Sequence, residues 1–155
     1  MPVVSNSSPL IALVAINRLT LFHDLFESML IPPSVAQEVR RSIPTLPPWI
    51  CEQKVTAPLP LIVQRSSLGS GEREAIALAL ELRAETIVLD DLPARRVAQI
   101  AGMNVIGTIG ILLAAKRRGI ISNVRSELDN LIRVSFFLSP KLYAEVLAFA
   151  GEAIP

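Results

Sequence analysis

The chain has 155 residues, 51% of them hydrophobic, a formal net charge of +1 and one cysteine. That is enough chain for one domain with its own core, without disulfide or metal staples. The charge excludes binding to nucleic acid by bulk electrostatics alone, the lone Cys51 excludes an internal disulfide, and no apolar run approaches the ~18 residues of a spanning helix. The apolar surplus has two outlets, a well-filled α/β core or an oligomer interface. The opening MPVVSNSSPL lacks a basic flank and a cleavage pattern, so no leader is expected. A reducing, cytoplasmic setting with no membrane partner fits these features.

Val3-Val4-Ser5 reads as a short strand with Asn6 at its end. Ser8-Pro9 resembles a helix start, with Leu10, Ile11, Leu13 and Val14 on the buried face and Asn17 as the stop. Leu21, Phe22, Leu25 and Phe26 carry a second helix, beside which the lone His23 reads as a packed or surface side chain. Met29-Leu30-Ile31 is a buried strand stopped by Pro32-Pro33. Ser34 then begins a helix as a capping box with Gln37, placing Glu38 beside the inward Val35 and Val39.

Five prolines (Pro44, Pro47, Pro48, Pro58, Pro60) make residues 42–60 irregular, with an edge strand expected at Leu61–Val63. Glu72 to Leu82 is a strongly apolar helix. Ile87-Val88-Leu89 has the continuous apolar character of a buried parallel strand and ends at Asp90-Asp91. A helix with Pro93 in its first turn follows, then a strand at Val105-Ile106 and a helix from Ile109 to Arg118, entered through Gly107-Thr108. Two further helices, Val124–Val134 and Pro140–Phe149, complete the chain. Alternating strands and helices predict a three-layer α/β/α sandwich around a mainly parallel sheet. Residues 1–155 are read as one domain, with the C-terminal helices of 122–150 packed on it or forming a dimer contact.

In such sheets functional groups collect beyond the carboxyl ends of the strands. Asn6 and Asp90-Asp91 end strands, while Glu38 and Glu72 lie near the starts of helices that begin at the same edge. Three carboxylates and an amide oxygen brought together would repel one another without a cation, and hard oxygen donors suit Mg²⁺ or Mn²⁺. Taken singly the acids have plainer readings. Glu72 complements a helix dipole, Glu74 folds to the helix surface or cap, and Asp91 before Leu92-Pro93 is an N-cap. The pairs Arg40-Arg41 and Arg95-Arg96, and the run Lys116-Arg117-Arg118, are local basic patches or simply solvated helix ends. A receiver-type phospho-acceptor reading of Asp90-Asp91 is weakened because its acidic pair belongs after the first strand, where Asn6 stands.

Read as a set, VVSNSSPLIAL, IPPSVAQEV, GEREAIALA, IVLDDLPARRVA and VIGTIGILLAAKRRG resemble the PIN-domain nucleases, in particular the branch of PIN-like proteins near the VapC toxins of toxin–antitoxin pairs. The resemblance runs from Val3 to about Gly119, and the tail from Phe137 to Glu152 is also of that type. It implies an acidic Mg²⁺ or Mn²⁺ site, cleavage of RNA and a small antitoxin partner, while a homodimer is expected from the apolar surplus of the C-terminal helices. By motif, Asn6 takes the place of the first aspartate, and Glu38, Glu72 and Asp91 take the following acidic positions, with Asp90 as a helper. Ser8 takes the nearby hydroxyl position, and Arg95, Thr108 and Lys116 are supporting or RNA-contact residues. An amide in place of the first acid removes one negative charge, so a PIN domain that only binds RNA or protein is the competing reading.

Overall fold

The computed structural model describes residues 2–152. Five short strands, β1 (Val3–Ser5), β2 (Met29–Ile31), β3 (Ile50–Glu52), β4 (Thr86–Val88) and β5 (Asn104–Ile106), form one sheet in the order β3-β2-β1-β4-β5, every neighbouring pair parallel. Chain direction across the sheet reverses between β1 and β4. The connections on either side of that junction leave in opposite directions, which opens a crevice beyond the strands' carboxyl ends. The α/β/α sandwich expected from the alternation is what forms.

Side-chain alternation along the strands divides the interior in two. Val3, Met29, Ile31 and Val88 face one layer, built from α1 (Ser7–Ala15), α2 (Thr20–Phe26), α3 (Pro33–Val39) and α7 (Thr108–Arg117). Val4, Ile87 and Leu89 face the other, where α5 (Ser70–Glu81) packs Ala75, Ile76, Leu78 and Ala79, and α6 (Leu92–Ile100) packs Ala94 and Ala98. The small alanines of α5 let it lie close against the sheet. α8 (Arg125–Arg133) and α9 (Pro140–Phe149) contribute Leu128, Leu131, Val146 and Leu147 to the first of these cores.

Several local expectations shift. Leu61–Gln64 is a short helix, α4, not an edge strand, and the edge strand is β3 inside the proline-rich stretch. Pro60 sets up that helix as its N-cap, where a missing N–H does no harm. β3 tolerates its flanking prolines because it pairs on one side only, with β2. The first helix starts at Ser7 with Asn6 as N-cap, two residues ahead of the cap expected at Ser8. The predicted capping box at Ser34 is absent, because Pro32 occupies the N-cap and Ser34 lies inside the helix. His23 stacks on Trp49 with ring centroids 5.4 Å apart, tying α2 to the proline-rich segment. Among the described residues no single helix is long and apolar enough to cross a membrane. The one pair that would pass together, α1 with α2, bends by 119°.

Candidate metal centre at the switch point

β1 delivers Asn6 to the crevice. Its N–H donates to Val88 O on the neighbouring strand at 3.0 Å, which extends the β1–β4 ladder and holds the residue at the sheet's carboxyl edge. The side chain is 2% exposed, and Oδ1 has no hydrogen-bond partner. A buried acceptor left unpaired is uncommon and unfavourable. Glu38 approaches from α3, the helix after β2. Its Oε2 accepts from the buried Ser7 hydroxyl at 2.9 Å, which orients the carboxylate and leaves Oε1 free of that bond.

The two oxygens meet over Gly71 in the first turn of α5. A Cβ built on Gly71 would collide with Glu38 Oε1 and lie 3.2 Å from Asn6 Oδ1. Glycine inside a helix is unfavourable by about 1 kcal/mol relative to alanine, and here the missing Cβ leaves the space in which an amide oxygen and a carboxylate oxygen converge. Two lone-pair donors aimed at one place fit a hard divalent cation, which would also satisfy the orphaned Asn6 oxygen.

The other predicted acids are placed differently. Glu72 reaches back over its own helix start, with Oε2 2.9 Å from where a Gly69 Cβ would sit. Its phase on α5 puts it near the edge, with its carboxylate turned toward the N-cap. Asp91 is the N-cap of α6, and its Oδ2 accepts from Ala94 N at 3.2 Å. It is solvent-exposed and keeps Oδ1 outside that cap. Asp90 closes the start of α7: its two oxygens accept from Thr108 N at 2.7 Å and Thr108 Oγ1 at 2.6 Å. Thr108 is thereby a buried anchor for Asp90. Among the described residues no three acidic, histidine or cysteine side chains are gathered as a metal cluster. Asn6 and Glu38 alone are brought together, while Glu72, Asp90 and Asp91 line the same edge.

Arg95 lies on α6 beside this edge. One guanidinium nitrogen donates to Leu89 O at 2.8 Å, and the group flanks Gly107 opposite Asp90. Ser8 and Lys116 are not brought to the centre. Ser8 is exposed, and its neighbour Ser7 makes the contact to Glu38, because the helix phase turns Ser7 toward α3. Lys116 sits one residue from the far end of α7, where it binds Glu152 Oε2 at 2.6 Å and Ala150 O at 2.7 Å. The rise along α7 from Thr108 carries it about 12 Å from the carboxyl edge.

Glu74, expected on the helix surface or in a cap, is half-buried and turned toward α3. Burial holds its carboxyl above the ordinary carboxylate value, the Ser34 backbone N–H opposes that, and the charge of Glu38 adds to it. The sequence signal for Ser7 and Gly71 was present but unread: a hydroxyl adjoining the strand-end amide, and a glycine inside a helix, which marks a close approach. Glu74 carried no such signal.

An all-parallel sheet with hard oxygen donors at its topological switch point defines the class, an α/β/α domain. The chain belongs to the PIN-domain family, whose model, described as DUF3368, PIN domain, matches residues 2–152. Searches of curated proteins and of solved structures found no match.

Proposed function

We propose that this PIN domain is a divalent-metal-dependent endoribonuclease acting in the cytoplasm as the toxin of a toxin–antitoxin pair, with a small antitoxin protein as partner. The observation that carries the catalytic part is the convergence of the unpartnered Asn6 Oδ1 and Glu38 Oε1 over Gly71. Asn6 and Glu38 would hold Mg²⁺ or Mn²⁺, with Glu72 and Asp91 adding negative charge from the adjoining helix starts. The chemistry such an ion supplies is activation of water and stabilisation of charge on a phosphodiester. Ser7 fixes the rotamer of Glu38 through its hydroxyl, and Asp90 holds the start of α7 against the edge. An amide contributes a dipole where a carboxylate contributes a full charge, so Asn6 makes the affinity for metal modest.

Calorimetry with Mn²⁺ and cleavage of single-stranded RNA test this together. Wild-type protein should bind Mn²⁺ and cleave. Asn6→Asp should bind it at least tenfold more tightly. Gly71→Ala should lose both properties while staying folded, since the added Cβ displaces Glu38 and alanine is the better helix former. Equal inactivity of wild-type, Asn6→Asp and Asp91→Asn proteins toward RNA in millimolar Mn²⁺ would sink the nuclease reading.

One arrangement favours a second reading, a PIN domain that binds without cutting. Asp91 is engaged in capping α6, and the carboxylate of Glu72 turns back to Gly69. Calorimetry showing no Mn²⁺ binding by wild-type protein, together with retained RNA binding, would support it. Self-association as a two-fold dimer belongs to either reading and rests on apolar side chains left uncovered on the C-terminal helices, Phe149 above all at 69% exposure.

A further inference from the structure

Beside Asp90 the carboxyl edge opens into a groove of about 540 Å³. Leu92, Ile109, Phe136, Phe137 and Leu142 supply most of its apolar lining, and its charged lining groups, Asp90 and Arg95, stand on either side of Gly107. Leu92 is 64% and Phe137 88% exposed. The aromatic pair is put there by the end of α8. Ser135 takes a left-handed backbone conformation (φ 68°), and Phe136 N donates to Leu131 O at 3.0 Å across the turn. This closure lets Phe136 pack against the core while Phe137 projects into solvent at the groove.

We infer that this groove is a nucleobase subsite: it receives one unpaired base of an RNA strand, stacked on Phe137, with the adjoining phosphate held by Arg95. The inference rests on the reading of the switch point as an RNA-processing site and names a subsite next to it. Three observations select a nucleotide as occupant. The groove is continuous with the acidic edge, because Asp90 lines the groove and adjoins Asp91. The Arg95 guanidinium spends one nitrogen on Leu89 O and retains further donors for an anion, whereas the N-terminus of α7 is already closed by Asp90. The lining combines an exposed aromatic face, aliphatic walls and one cation, which suits a planar base carrying a phosphate. Stacking on an aromatic face is tolerant of base identity, so the subsite selects single-stranded over paired RNA more than it selects sequence.

Fluorescence anisotropy with a labelled single-stranded oligonucleotide tests this, in an Asp91→Asn background so that the RNA survives. Intact RNA is compared with the same strand made abasic. Phe137→Ala should weaken binding of intact RNA about tenfold, leave abasic RNA almost unchanged, and be rescued by Phe137→Trp. Paired RNA should gain nothing from Phe137. An equal effect of Phe137→Ala on intact and abasic strands, or no effect on either, overturns the subsite. So does conversion of a dimer to a monomer by Phe137→Ala with no base-dependent change, which would make the groove a protein interface. The nuclease reading is separable from this result. Cleavage by wild-type protein without base-dependent binding overturns the subsite alone, and base-dependent binding without cleavage overturns the nuclease alone.

Discussion

Asp91 holds two roles on one side chain. As N-cap of α6 it satisfies Ala94 N, and as an exposed carboxylate it adds charge at the crevice. Substitution separates them, because asparagine caps a helix about as well as aspartate but carries no charge. Asp91→Asn should therefore leave the thermal midpoint within experimental error of wild type while lowering Mn²⁺ affinity. Asp91→Ala should lose the cap too and unfold about 1 kcal/mol more easily, measurable by urea titration. Equal stability of the two variants would remove the capping role. At Asn6 a strand end suits an amide or an acid. The backbone is fixed by its bond to Val88 O, so the side chain cannot retreat from the crevice. Glu74 adds a second carboxylate near Glu38, and burial first, with the charge of Glu38 adding to it, holds its carboxyl above the ordinary value, so ionising it opposes the folded state.

Among the elements, the chain end is fastened to the body by Glu152. Burial pushes its carboxyl upward, but Lys116 and the N–H groups of Val124 and Arg125 outweigh burial and hold it below the ordinary value of 4.5. Its carboxylate thus caps the start of α8 and pairs with the end of α7, while Arg125 returns a bond to Glu152 O at 3.0 Å. A carboxyl lowered by folding stabilises above its unfolded value, and that contribution is lost as pH falls through the lower folded one. Stability measured by denaturant should hold from neutral pH to about 4.5 and then decline as Glu152 protonates. Glu152→Gln should flatten its share of that decline and reduce stability at pH 7 by about 2 kcal/mol. An unchanged acid limb in the variant would show that other carboxylates set it. In the same first turn of α8, Arg18 reaches from the turn after α1 to the buried Glu127, with two bonds of 2.9 and 2.7 Å to Oε1. Together these contacts anchor the start of α8 to the body and to the segment after α9.

At the level of the whole molecule, the uncovered apolar side chains are the surface on which the proposed dimer would form. Phe149 lies at the end of α9, away from the Asp90 groove, so a dimer through it would leave the switch point open. Light scattering at micromolar concentration should give a dimer, and Phe149→Ser should return a monomer with its far-ultraviolet circular dichroism intact. A monomer for both proteins would remove that surface from consideration. Most of the architecture was legible in the chain because strand and helix periods are local properties. Met29–Ile31, Val3–Ser5 and the helix Pro140–Phe149 stand where pattern puts them. Besides the caps of α1 and α3, the exceptions lie in the proline-rich stretch, where propensity cannot distinguish a short helix from an edge strand and pairing with β2 settles the matter.

By itself, the sequence put Asn6, Glu72 and Asp91 at a strand's end or a helix start on one edge, whereas Glu38, expected near the start of its helix, is the penultimate residue of α3. Only the tertiary structure decided which of them meet. Helix azimuth and spacing follow from long-range packing of α5 against the sheet and of α3 against α1 and α5. That packing brings Glu38 over Gly71 to Asn6, selects Ser7 over Ser8, and turns Glu74 inward. It also brings Glu152 to Lys116, whose place at the far end of α7 is set by its position in the helix. A local pattern specifies which end of an element a side chain occupies, whereas the direction it faces depends on neighbours distant in sequence.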